Sequence, residues 1–223
     1  GTAYKVTLTS IGDASYADSS ASALSSQIST LSAAAAATIT NPASVSKTVG
    51  DSHIFSASPT TASDGGSLTY QWESATAASP STYSSIAGAT SINYTTPTLA
   101  IGDNGSLYRV VVTNAINGTT TAATSSAATL TVAKAPLSAP TAITASTVSG
   151  SSTSLKITFT NASSATSYTA RIYLADGETL IATATSYTSN TAITGLSAGT
   201  AYKVTLTSIG DASYADSSAS ALS

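Results

Sequence analysis

The chain has no cysteine and no methionine, a single histidine and a single tryptophan, and only 8% of its 223 residues are charged. Without cysteine, neither a disulfide framework nor a thiolate zinc site can form. Without methionine there is no oxidisable sulfur, and the chain reads as a segment of something longer rather than one that starts at an initiator. One histidine, His53, excludes a catalytic triad, an imidazole acid–base pair and a multi-histidine metal centre. A net charge of −3 supplies no basic footprint for nucleic acid and no polybasic patch for a membrane. There is no signal peptide and no apolar run of about 18 residues, so no membrane insertion is expected in this segment. The alanine run Ala33–Ala37 is too short for an independently stable helix.

What fills the chain is Ser, Thr and Ala, with Thr, Val, Ile and Tyr in short alternating runs, the composition of β-structure. Its organising feature is a repeat: residues Gly1 to Ser25 and Gly199 to Ser223 are identical letter for letter, at an offset of 198 positions. Self-similarity at a fixed period is the mark of a repeat architecture. This period is too long for one supersecondary unit, so each period should hold whole domains. The chain then reads as one period of a tandem array plus a short overlap.

Taken in order, Tyr4, Val6 and Leu8 alternate with Lys5, Thr7 and Thr9, followed by a turn at Gly12-Asp13 and a weaker strand around Leu24, Ile28 and Leu31. A lone hairpin is marginal in water, so this one is expected to dock on a core supplied elsewhere. Strand-like runs follow at 46–49, 53–57, 68–73, 91–94, 107–113 and 127–132. Turn signals separate them at Val49-Gly50-Asp51, Asp64-Gly65-Gly66, Ala87-Gly88, Asp103-Asn104-Gly105 and Asn117-Gly118. Many short strands at this spacing predict a sandwich or barrel.

Trp72 ends the run Leu68-Thr69-Tyr70-Gln71-Trp72, and Asp103-Asn104-Gly105-Ser106-Leu107-Tyr108 leads into Arg109-Val110-Val111-Val112. On these motifs residues 40–133 resemble a bacterial immunoglobulin-like domain. The resemblance implies that Trp72 is the core tryptophan of strand C and Tyr108 the tyrosine-corner residue. Ala57 and Val110 would take the two positions at which many relatives carry the inter-sheet cysteines.

A proline-bearing linker, Lys134 to Pro140, precedes a second set of alternations: Leu155, Ile157, Phe159, then Tyr168, Ala170, Ile172, Leu174. Thr194-Gly195-Leu196-Ser197-Ala198-Gly199-Thr200-Ala201-Tyr202 resembles the fibronectin type III pattern of a leucine, a glycine-containing turn and a corner tyrosine. That assigns those roles to Leu196 and Tyr202, with Phe159 in place of the family's strand-B tryptophan and Ala198 where a proline is usual. The expected fold class is all-β: tandem Greek-key β-sandwiches, immunoglobulin-like and fibronectin type III-like. Residues 1–33 are the last two strands of a preceding fibronectin-like domain. Residues 34–133 are a linker plus the immunoglobulin-like sandwich. Residues 134–223 are a linker plus the fibronectin-like sandwich, whose last strand is incomplete.

Chemistry is sparse. Asp176 and Glu178 flank Gly177 in a turn, where carboxylates cap backbone N–H groups more readily than they bind calcium. Lys156 and Lys203 lie in the polar phase of their strands, as surface residues rather than cross-link donors. Asn93, Asn104, Asn117 and Asn161 match the glycosylation acceptor pattern, with Asn104 and Asn117 already explained as turn residues. Tyr83, Tyr173 and Tyr187 are expected to be exposed and would offer stacking surface to sugars or neighbours, though scattered single aromatics need no such role. No catalytic set assembles, no phosphate loop is present, and neither a cofactor nor a metal is implied. The reading is a non-enzymatic structural repeat of a long extracellular stalk, sheath or filament, at the cell surface or secreted. Its partners are neighbouring repeats of the same chain or identical chains. The alternatives are an adhesin or carbohydrate-binding module that meets cell-surface glycans, and a small subunit polymerising by strand donation.

Overall fold

The computed structural model describes residues 2–58 and 60–223; Gly1 and Pro59 lie outside it. Among the described residues there is no α-helix, and twenty short strands carry the fold. The first two, β1 (Ala3–Tyr4) and β2 (Ile28–Ser29), pair antiparallel with Tyr4 opposite Ile28. Between them the arms are stitched by the N–H groups of Ser19, Ser22 and Ser25, which donate to the carbonyls of Ser10, Leu8 and Val6. Among the described residues no core lies under this hairpin: Val6 is 59% and Leu8 78% exposed.

The first sandwich contains β3 (Thr38–Ile39), β4 (Val45–Thr48), β5 (Ile54–Ser56), β6 (Thr60–Thr61) and β7 (Ser67–Ala75). It continues through β8 (Ser84–Ser85), β9 (Asn93–Thr95), β10 (Ser106–Ile116), β11 (Thr119–Thr124) and β12 (Ala128–Ala133). Its larger sheet runs β4-β12-β10-β7-β8 with β11 also on β10, while β3 pairs with β6 and β5 with β9. β4 lies parallel to β12, and β10 antiparallel to β7 with Val110 opposite Trp72. Along β10 the side chains of Ser106, Tyr108, Val110, Val112 and Asn114 all turn inward, the two-residue period of a pleated strand. Of these, Tyr108, Val110 and Val112 meet Phe55, Ala57, Trp72, Leu99, Leu130 and Val132 in one core. Asn117 and Gly118, at φ of 54° and 73°, make the tight link from β10 to β11, with Ile116 opposite Thr119. The strand at 119–124 has no apolar alternation, so periodicity did not mark it; its register is set by that turn.

The second sandwich holds β13 (Ala135–Pro136), β14 (Thr141–Thr147), β15 (Leu155–Thr160), β16 (Ser167–Leu174), β17 (Leu180–Ala184), β18 (Ala192–Ile193), β19 (Tyr202–Ile209) and β20 (Tyr214–Ala215). One sheet is β14-β15-β18, the other β17-β16-β19, and β13 lies parallel to β20. The chain crosses between the two sheets at 161–166, 185–191 and 194–201, as a Greek key requires. After β20 the chain returns along β19 through Ser217, Ser220 and Ser223. Leu155, Ile157, Ala170, Ile172, Ile193, Leu196, Val204 and Leu206 form a second core that shares no residue with the first. The fold is all-β, with tandem sandwiches of the immunoglobulin and fibronectin type III kind.

Candidate functional site: a serine-bracketed hairpin

The feature repeated most often is a two-bond bracket. A serine on one strand donates its backbone N–H to the carbonyl of a residue opposite, and its Oγ accepts the N–H of that same residue. Ser22 holds Leu8 in this way at 2.8 and 3.0 Å, and Ser25 holds Val6 at 3.0 and 3.1 Å. Ser220 holds Leu206 at 2.8 and 3.0 Å. Ser125 brackets Val110 at 3.0 Å for both bonds, at the break between β11 and β12. Thr96 does the same to His53. The serine hydroxyl hydrogen then goes along its own strand, as from Ser125 to the Ser126 carbonyl and from Ser220 to the Ala221 carbonyl.

The geometry explains the spacing. In an ordinary ladder the acceptor for each N–H is a backbone carbonyl. Here the hydroxyl replaces it, so three residues of one strand pass two of the other: Ser19, Ser22 and Ser25 against Ser10, Leu8 and Val6. The serine period of three was visible in the sequence, but a search for apolar alternation passes over it.

The two identical stretches build the same hairpin. Gly12 N–H donates to Asp18 Oδ1 at 2.7 Å, and Gly210 N–H to Asp216 Oδ1 at 2.8 Å. Ser15 and Ser213 each donate to the equivalent aspartate, Asp13 or Asp211, at 2.7 Å. The copies differ at the open end, where Ser223 pairs with Val204 through its backbone alone, and in the turn, where the Tyr16 N–H donates to the Asp13 carbonyl but the Tyr214 N–H to Asp211 Oδ1. The larger difference is in the surroundings, since Val204 and Leu206 are fully buried where Val6 and Leu8 are bare.

Both linkers are tied down. The Asp64 carboxylate accepts the N–H groups of Ala35 and Gly66 and the amide of Asn114, whose Nδ2 also reaches the Ala35 carbonyl. Those N–H groups, Ala35 first, hold the Asp64 carboxyl below its ordinary range. Asn117 Nδ2 donates to the Ser32 carbonyl, and Thr121 Oγ1 to that of Ala34. At the second linker, Lys134 Nζ reaches the Asp211 carbonyl and Ser208 Oγ the Ser138 carbonyl.

The residues singled out in the sequence fall as follows. Trp72 is fully buried and its indole N–H donates to the Ser91 carbonyl at 2.9 Å. Ala57 and Val110 are both fully buried in the first core. Tyr108 departs from the corner role: its hydroxyl makes no hydrogen bond among the described residues, and its ring stacks on Phe55 at 4.6 Å. Burial, then the neighbouring Tyr94 and Asp103, push its phenol up to about 12. Tyr202 does make a corner, its hydroxyl accepting the Ser197 N–H at 2.9 Å, beside a buried Leu196. Phe159 is half-buried against Tyr168, and Ile157, two residues earlier, is fully buried.

One tyrosine expected at the surface is a core residue. Tyr187 is buried; its hydroxyl accepts the Ile157 N–H at 2.8 Å and donates to the Thr191 carbonyl at 2.6 Å. Nothing in its flanks, Thr185-Ser186 and Thr188-Ser189, marks it as internal. Tyr83 is half-buried under the Arg109 guanidinium, 3.7 Å from its ring centre, and Arg109 pairs with Glu73 at 2.8 Å. Asp176 accepts from the N–H groups of Glu178 and Thr179 and from the Thr179 hydroxyl, so turn bonds occupy its carboxylate. The grooves are shallow and uncharged. One of about 450 Å³ lies between Phe159, Tyr168 and Ser189, and one of about 720 Å³ beside Tyr70 and Ile92.

No family model matches the chain, and no curated protein matches it. Among solved structures, the FN1–FN3 domains of chicken CNTN1 are 14% identical over 93% of this chain and 70% of that one, with a TM-score of 0.37. A run of titin domains is 16% identical over 84% of this chain, with a TM-score of 0.36. The chain spans 65% of that titin structure. The class of the protein, a chain of immunoglobulin- and fibronectin type III-like modules, rests on its own sheet order and cores.

Proposed function

We propose that this chain is one period, with a short overlap, of a tandem-repeat protein of bacterial type that forms an extracellular stalk, sheath or filament. Its work is mechanical. Each sandwich has its own core and folds as a unit, and copies in tandem turn chain length into reach. The observation that carries this reading is the hairpin built twice, at residues 2–25 and 200–223, with matching aspartate bonds at the turn and matching brackets at Ser19 and Ser22 and at Ser217 and Ser220. The tied linkers support it, because a joint whose backbone is bonded to the adjacent sandwich transmits load with little hinge freedom. So does the character of the loops, which are mostly Ser, Thr, Ala and Gly rather than the convergent polar and aromatic groups of a binding tip.

Strands of about 10 residues at about 3.3 Å each make a sandwich roughly 35–40 Å long, so a period of two advances about 70–80 Å. Electron microscopy of the native polymer should show an axial repeat in that range. A straight filament with a repeat far outside it removes the spacer reading. Specific retention of one period on a glycan array would replace it with a binding module.

A further inference from the structure

We infer that in the native polymer the apolar side of the hairpin at residues 2–31 is seated on a copy of residues 140–198, joined in line ahead of Gly1. This rests on the repeat reading above and adds the identity and register of what covers the hairpin. The cover is visible at the other end of the same chain. There the identical stretch packs Val204 and Leu206 against Leu155, Ile157 and Ile172, and β19 pairs with β16 so that Thr207 stands opposite Thr169. Val6, Leu8 and Thr9 are the equivalents of Val204, Leu206 and Thr207. Two further contacts have open counterparts. Tyr202 takes the N–H of Ser197, five residues upstream, so Tyr4 would take that of the serine two residues ahead of Gly1. Tyr214–Ala215 pairs with Ala135–Pro136, in the linker that leads into residues 140–198, whereas Tyr16, the equivalent of Tyr214, is exposed and open to the linker of the preceding copy.

An in-line copy fits better than one borrowed from a second molecule. Residues 140–198 of any complete chain already hold their own hairpin, at residues 199–223. A visiting hairpin would have to displace an identical one tethered at high local concentration, for nearly the same contacts. A copy placed ahead of Gly1 meets no such rival.

The chain lacks cysteine, so one introduced thiol reports its own exposure. Val6→Cys, with Leu8→Cys as an independent second reporter, is made in the 223-residue chain and in a chain carrying a copy of residues 140–198 ahead of Gly1. Alkylation should be fast at every concentration of the first, and slower by at least about 100-fold in the second, as for a site that reacts only through local opening. Equal rates in the two chains overturn the inference. Slowing in the 223-residue chain overturns it too: if it grows with concentration the cover is a second molecule, and if it does not, the hairpin has folded onto its own chain. A protected thiol in a polymer of the wrong axial repeat would leave the docking standing and remove only the spacer role.

Discussion

Ser217 and Ser208 hold each other twice: the Ser217 N–H donates to the Ser208 carbonyl at 2.9 Å, and Ser217 Oγ accepts the Ser208 N–H at 2.9 Å. Ser19 and Ser10 make the same pair at 2.9 and 2.8 Å, in the open. The two brackets are alike in sequence and geometry and differ only in burial, which separates bonding from desolvation.

Replacing Ser217 with alanine leaves the buried Ser208 N–H without an acceptor and should cost the second sandwich about 1–3 kcal/mol. Ser19→Ala exposes its orphan to water and should stay within about 0.5 kcal/mol. Urea denaturation followed by circular dichroism measures both. Equal shifts would mean that the hydroxyl, rather than its burial, sets the energy.

Trp72 is the sole tryptophan and sits in the first core, so its fluorescence reports that sandwich alone. Ser125→Ala, which frees the buried Val110 N–H, should lower the fluorescence-detected transition by about 1–3 kcal/mol. Tyr187→Phe removes a hydroxyl bonded to both Ile157 and Thr191 in the second core. It should shift the tyrosine-dominated ellipticity change by a similar amount, while the Trp72 transition stays in place. If Tyr187→Phe moves the tryptophan signal, the two cores are not independent.

Alkali offers a test of Tyr108. Its phenol is raised from 10.0 to about 12 in the folded chain. A raised value means the folded state prefers the neutral form, so this contribution is complete below pH 10 and is lost as pH rises through about 12. The Trp72-detected stability should therefore fall across that interval, and less steeply in Tyr108→Phe. Identical slopes would remove Tyr108 from the cause.

Acid tests the first linker. The Asp64 carboxyl is held below 3.8 by the N–H groups of Ala35 and Gly66 and the Asn114 amide. A lowered value means the bonded carboxylate supports the fold above about pH 4, and that support drains as pH falls through the folded value. Asp64→Ala should release the alanine run at neutral pH. Cleavage there by an elastase-type protease should rise about 10-fold as local opening becomes easier. No change in cleavage would show that Asn117 and Thr121 suffice to hold the linker.

The strand faces and many turns were legible in the amino-acid order. Tyr108, Val110 and Val112 share a face because a pleated strand repeats every two residues, and Asn117-Gly118 makes a hairpin because both residues adopt positive φ at little cost. The identity of residues 1–25 and 199–223 likewise needed no coordinates. The serine brackets and the burial of Tyr187 were not legible. A hydroxyl becomes a strand acceptor only when the chain opposite brings an N–H to it, and polar flanks do not say which way a tyrosine points.

Local order, then, was written in the sequence: which residues alternate, where the chain turns, and that one stretch occurs twice. Tertiary structure alone decided what those stretches meet. The repeated stretch folds back at the equivalent aspartates at both ends, yet Leu206 is sealed and Leu8 is bare, because burial belongs to the surface across from a strand and not to the strand itself.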